Sequence, residues 1–112
     1  MKLLVLILNK IEVLEPLMEQ FQDNDIHGAT ILNSTGMARA LSHYADDNFL
    51  TGLRSLLDPD REENRTIFTV LKEEQVAAAV AVIEKVVGDL SKPDTAIVFT
   101  LPVDFVKGVN LN

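Results

Sequence analysis

Residues 65–88 read RTIFTVLKEEQVAAAVAVIEKVVG. The first part, Arg65 to Leu71, is rich in β-branched and aromatic residues and reads as a strand. Its side chains alternate between two faces, Ile67 and Leu71 on one, Phe68 and Val70 on the other. Both sets are apolar, so each face needs cover. The period then changes. From Glu73 to Val87 the apolar residues Val76, Val80, Ile83 and Val87 recur at helical intervals, which predicts a helix with that stripe buried. Gly88 closes it. A strand buried on both sides, followed directly by a helix, is half of a βαβ unit.

Moving toward the N-terminus, the same rhythm appears again. LLVLIL, Leu3 to Leu8, is apolar on both faces and predicts a first buried strand. A helix follows, with Pro16 in its first turn, where a missing N–H matters least. Leu14, Leu17, Met18 and Phe21 form its apolar stripe, and Asp23-Asn24-Asp25 ends it. A second strand is expected from about His27 to Thr35.

Toward the C-terminus, Lys92-Pro93-Asp94 marks a turn before a fourth strand, TAIVFTLPV, again two-faced. The tail FVKGVNLN is expected to add a short edge strand. Between strands two and three lies an insert, 37–63. Phe49, Leu50, Leu53, Leu56 and Leu57 are spaced as a helix over 49–57. Gly52 weakens that helix by roughly 1 kcal/mol relative to alanine. Asp58-Pro59-Asp60 stops it.

The expected order, β-α-β-insert-β-α-β, is an α+β, ferredoxin-like βαββαβ two-layer sandwich with a helical insert between strands 2 and 3. Residues 1–112 form a single domain in this reading. Two helices cover only one face of such a sheet. Exposing the other face's large apolar side chains would forgo about 1.5–3 kcal/mol each, so it needs cover: the insert helix could supply it in part, and neighbouring subunits are the more general solution.

Composition narrows the function. At 47% hydrophobic the chain builds a core without a disulfide or metal staple, so no cofactor is required for folding. It has no cysteine, which removes thiolate ligands and cysteine nucleophiles and fits a reducing compartment. A net charge of −7 repels a phosphate backbone, and the basic residues form no patch, so nucleic acid is not an expected partner. The apolar run Leu3–Leu8 is too short for a signal peptide's core and has no small-residue cleavage site after it. No stretch reaches the ~18 apolar residues of a membrane span. The expectation is a cytoplasmic protein without membrane insertion.

Polar groups gather where the second strand ends, in Asn33, Ser34, Thr35 and Gly36. Backbone N–H groups at such a turn can hold an anion, and the same residue types also cap helices. Arg39 suits a carboxylate or phosphate, or is simply solvated. His27 and His43 are the only histidines, and with Asp46 or Asp47 they could form only a metal site shared between subunits. No metal site is expected from them. The acids Asp46, Asp47, Asp58, Asp60, Glu62 and Glu63 flank turns and helix ends, as solvated loop residues do. No nucleophile elbow, P-loop or dinucleotide fingerprint is present, and no enzyme is expected.

Three stretches, MKLLVLILN, IHGATILNSTGMAR and TAIVFTLPVDFVKG, resemble the PII-like (nitrogen regulatory protein P-II-like) family of bacterial signalling proteins. The first resembles that family's opening strand. The second resembles the strand that enters its long functional T-loop, and the third its last long strand with a Pro-Val-acid pattern. The resemblance implies a homotrimer with inward-turned sheets and a small anionic effector, often an adenine nucleotide, in each cleft between subunits. It implies signalling to a partner protein through the loop at 37–63. Thr30 lies where the family often has a threonine that meets adenine, Gly36 matches the glycine at the loop's mouth, and Lys107 falls near a phosphate-meeting basic residue.

The expected site is therefore Thr30, Ser34, Thr35, Gly36, Arg39 and Lys107. This chain departs from PII in GDLSKPDTAIVF, which lacks the Gly-Asp-Gly-Lys element and has only Lys92 nearby. Tyr44 stands in a different context from PII's modified tyrosine. Related cyclic-di-AMP receptors carry a basic residue where this chain has Gly28. The alternatives are a CutA-like metal-binding trimer and a structural interaction module without a ligand.

Overall fold

The computed structural model describes residues 1–37, 40–41 and 63–109. The strands are β1 (Lys2–Leu8), β2 (Thr30–Ser34), β3 (Asn64–Leu71) and β4 (Ala96–Pro102). The helices are α1 (Leu14–Asp23) and α2 (Val76–Val87), each preceded by a short 3-10 turn, at Ile11–Val13 and Glu73–Gln75. The four strands form a single sheet in the order β2-β3-β1-β4, and every neighbouring pair is antiparallel. This mixed α+β arrangement is compatible with a ferredoxin-like two-layer fold.

One face of the sheet carries the core. Leu4, Leu6 and Leu8 of β1 are fully buried and lie with Ile67 and Leu71 of β3 and Ala96 of β4. Leu17 and Phe21 of α1 and Ala79, Val82, Ile83 and Val87 of α2 close over them. Both helices thus sit on this face and pack against each other. The register explains the selection. Leu4, Leu6 and Leu8 oppose Thr69, Ile67 and Arg65 on β3, so the even-numbered β1 residues share a face with the odd-numbered β3 residues.

The α1 stripe is as its spacing predicts: Leu17 and Phe21 are buried, and Leu14 and Met18 pack against the core. Pro16 sits in the first turn. In α2 the stripe is rotated. The expected Val76 and Val80 are only half-buried, while Ala79 and Val82 join Ile83 and Val87 inside. The sequence VAAAVAVIEKVV is apolar nearly all round, so periodicity alone could not fix its phase. The small Ala79 suits close approach between α1 and α2, and packing selects that side.

Gly88 has φ +104° and ψ −156°, a region open almost only to glycine, and its N–H donates to the carbonyl of Glu84 at 3.0 Å. Lys10 Nζ reaches the carbonyl of Val87 at 3.5 Å, placing a cation at the negative end of α2.

β2 is shorter than the expected span of 27–35. The Thr69 hydroxyl donates to the carbonyl of Gly28 at 2.6 Å. That side-chain bond holds the approach to β2 beside β3 without a ladder pairing before Thr30. Gln75 Nε2 donates to the carbonyl of Asp25 at 3.3 Å, and Asp25 itself takes φ +63°. The expected edge strand in the tail is absent from 103–109, where the chain is irregular. The expected helix at 49–57, and with it His43, Tyr44, Asp46 and Asp47, lies outside the described residues.

Candidate functional site

The second face of the sheet has no helix over it among the described residues. Register places three rows across it. Leu101, Leu3 and Val70 form the first; Phe99, Val5, Phe68 and Thr30 the second; Ile97, Ile7, Thr66 and Leu32 the third. Ile97, Phe99, Leu101 and Leu32 are each more than two-fifths exposed. Together these side chains form a partly exposed apolar surface across the sheet.

At one end of this face the surface turns polar. Asn64, on the same side as Thr66 and Phe68, is 8% exposed. Its Oδ1 accepts a short hydrogen bond from Ser34 Oγ, and its Nδ2 donates to Asn9 Oδ1 at 3.2 Å. Ser34 Oγ and Thr66 Oγ1 are 2.7 Å apart. With the Ser34 proton given to Asn64, the Thr66 hydroxyl is the donor to Ser34. These bonds join the end of β1, the end of β2 and the start of β3, where the 37–63 segment leaves and rejoins the sheet.

At the opposite end lies a depression of about 500 Å³. Leu3, Phe68 and Val70 give it an apolar floor, Asp25, His27 and Thr30 stand along it, and Gly108 and Val109 of the tail close one side. His27 Nε2 is 3.7 Å from Asp25 Oδ1, and both side chains are exposed. The tail reaches this place by crossing the start of β1, where Val103 N donates to the carbonyl of Met1 at 3.2 Å.

The expected site residues divide between these two ends. Thr30 lines the depression, and Lys107 adjoins Gly108 there. Ser34 lies four residues along β2, about 13 Å away at strand rise, inside the polar cluster. Thr35 is exposed and Gly36 half-buried beside it. Arg39 lies outside the described residues. Within one chain, therefore, only an elongated ligand lying along β2 would reach both Thr30 and Ser34.

Gly36 is not a positive-φ glycine, and a Cβ there would meet Asn64 Nδ2 at an ordinary 3.7 Å. Its carbonyl accepts from Ala40 N at 2.9 Å, the first bond of a helical turn. Ser34, read either as an anion-holding residue or as a cap, instead turns its hydroxyl to Asn64 and Thr66. Asn64 and Asn9 escaped the sequence reading. The available signal was the alternation Asn64-x-Thr66 leading into Phe68-x-Val70 on a single strand face.

Among the described residues no group of three or more His, Cys, Asp and Glu side chains could hold a metal ion. No described helix is long and apolar enough to cross a membrane.

No protein-family model matches the chain, and no curated protein matches it. A solved structure of a functionally unknown protein from Pediococcus pentosaceus ATCC 25745 is similar to it, with a TM-score of 0.63 and 24% identity over 96% of each chain. That likeness extends the fold over nearly the whole length of both proteins.

Proposed function

We infer that this protein is a non-catalytic, PII-like regulator. It assembles as a homotrimer, takes a small anionic effector in the clefts between copies, and signals to a partner protein through the segment 37–63. The observation that carries the reading is the uncovered apolar sheet face, with Ile97, Phe99, Leu101 and Leu32 exposed. These four are about half exposed, so burying the remainder between copies favours assembly by about 0.7–1.5 kcal/mol apiece. The division of the site residues fits the same reading. In this reading Thr30 and Lys107 of one copy and Ser34, Thr35 and Gly36 of another meet across a subunit boundary. The sequence resemblance to PII-like proteins supplies the effector class, with nucleotides and cyclic dinucleotides as the first ligands to test.

Two measurements test this. Light scattering on the purified chain is expected to give three times the monomer mass. A thermal-shift screen of ATP, ADP, cyclic di-AMP, inorganic phosphate and divalent metals is expected to show one anionic compound raising Tm by mass action. Lys107→Ala should reduce that shift while the assembly stays intact. A stable monomer at micromolar concentration overturns the assembly, and a response to a divalent metal alone favours the metal-binding alternative.

A further inference from the structure

The two sides of the depression over Leu3, Phe68 and Val70 are held very differently. On one side the chain at 25–28 is tied down along its length. Ile26 N donates to the carbonyl of Phe21 at 2.9 Å, Gln75 Nε2 to that of Asp25 at 3.3 Å, and the Thr69 hydroxyl to that of Gly28 at 2.6 Å. The Ile26 side chain is buried in the core. The other side is the tail. Val103 N donates to the carbonyl of Met1 at 3.2 Å, and beyond it 104–109 make no hydrogen bond among the described residues. What fastens the tail is a sparse apolar period, with valines at every third position, Val103, Val106 and Val109. Val103 and Val106 are half-buried, while Asp104, Phe105 and Lys107 between them are exposed. Gly108 then turns with φ +94°, and Gly108 and Val109 wall the depression. A segment with a single backbone tie and few buried side chains opens at low free-energy cost while the sheet beneath it stays folded.

We propose that the tail at 103–109 is a movable strap beside the depression, and that it controls access to the apolar floor by lifting from the Val103 tie onward. Val106 is its fastening and Gly108 its joint. Leu3 and Val70, in the row beside which the tail crosses β1, are the floor residues that its lifting uncovers. The side at 25–28 stays in place, because its hydrogen bonds and the buried Ile26 must break before it moves. This device goes beyond the regulatory reading above and needs neither its trimer nor its effector.

The chain has no cysteine, so one introduced thiol is a clean reporter. Val70→Cys places it in the floor, and Ile97→Cys places it in the row at the other end of the same face. Labelling by fluorescein maleimide is timed for each, with and without Val106→Ser, at a concentration where light scattering gives every variant the same mass. Val106→Ser is expected to speed labelling at Val70→Cys by about 3- to 10-fold and to leave Ile97→Cys unchanged. An unchanged rate at Val70→Cys overturns the strap. An equal gain at both sites shows a loosened sheet and overturns it too. Hydrogen exchange on the unaltered chain gives a second measurement. The amides of 105–109 are expected to exchange while those of Leu4 and Leu6 remain protected, and equal protection overturns the proposal. These readouts use no effector and compare samples of equal mass. A failed strap therefore leaves the regulatory reading standing, and a monomer that binds no anion leaves the strap standing.

Discussion

Asn64 shows how a single polar residue can hold the boundary of a segment. It is nearly buried, yet both ends of its amide are used, one by Ser34 and one by Asn9. Replacing it by leucine takes the side-chain acceptor from the Ser34 hydroxyl and the donor from the Asn9 oxygen together. The expected cost is about 1–3 kcal/mol, read as a lower denaturation midpoint in urea. Gly36→Ala, two residues past Ser34, is expected to stay within about 0.5 kcal/mol of the parent. A new Cβ there meets only ordinary contact and the backbone is not left-handed. A Gly36 effect on ligand binding without an effect on stability would then report on the ligand.

Helix α2 decides its own phase only through its neighbours. Ile83 is fully buried and Val80 half-buried, although the sequence spaces them alike. Ile83→Ala is expected to cost about 2–5 kcal/mol, and Val80→Ala clearly less. Equal losses in chemical denaturation would show that the helix packs with the phase expected from its valine spacing. The β2 element teaches the complementary lesson. IHGATILNST reads as strand from His27, but pairing with β3 begins only at Thr30, and before it the chain is held to β3 by the Thr69 hydroxyl on the carbonyl of Gly28.

For the molecule as a whole, the proposed assembly rests on the sheet face that no described helix covers. Phe99 lies in a central row with Val5 and Phe68, and it is 43% exposed. Phe99→Ser is expected to impair assembly while leaving the helix-side core, and hence the far-UV spectrum, intact. If light scattering gives the same mass for parent and variant, and that mass exceeds a monomer's, this face is not the subunit contact.

The sequence by itself determined the four strands and two helices of the described regions and the two-faced character of β1 and β3, but not the irregular course of the tail at 103–109, which stands in place of the expected edge strand. Alternation and helical spacing are local properties, and Leu3–Leu8, Ile67–Leu71 and the stripe from Leu14 to Phe21 state them without reference to anything distant. Tertiary structure alone decided what depends on partners far along the chain. It rotated α2, because a helix apolar on most sides takes its phase from what it meets. It trimmed β2 to Thr30–Ser34 and held the approach to it by a hydroxyl forty-one positions from the carbonyl it meets. It also joined Asn9, Ser34 and Asn64, because hydrogen-bond partners are chosen in space, where sequence proximity has no standing.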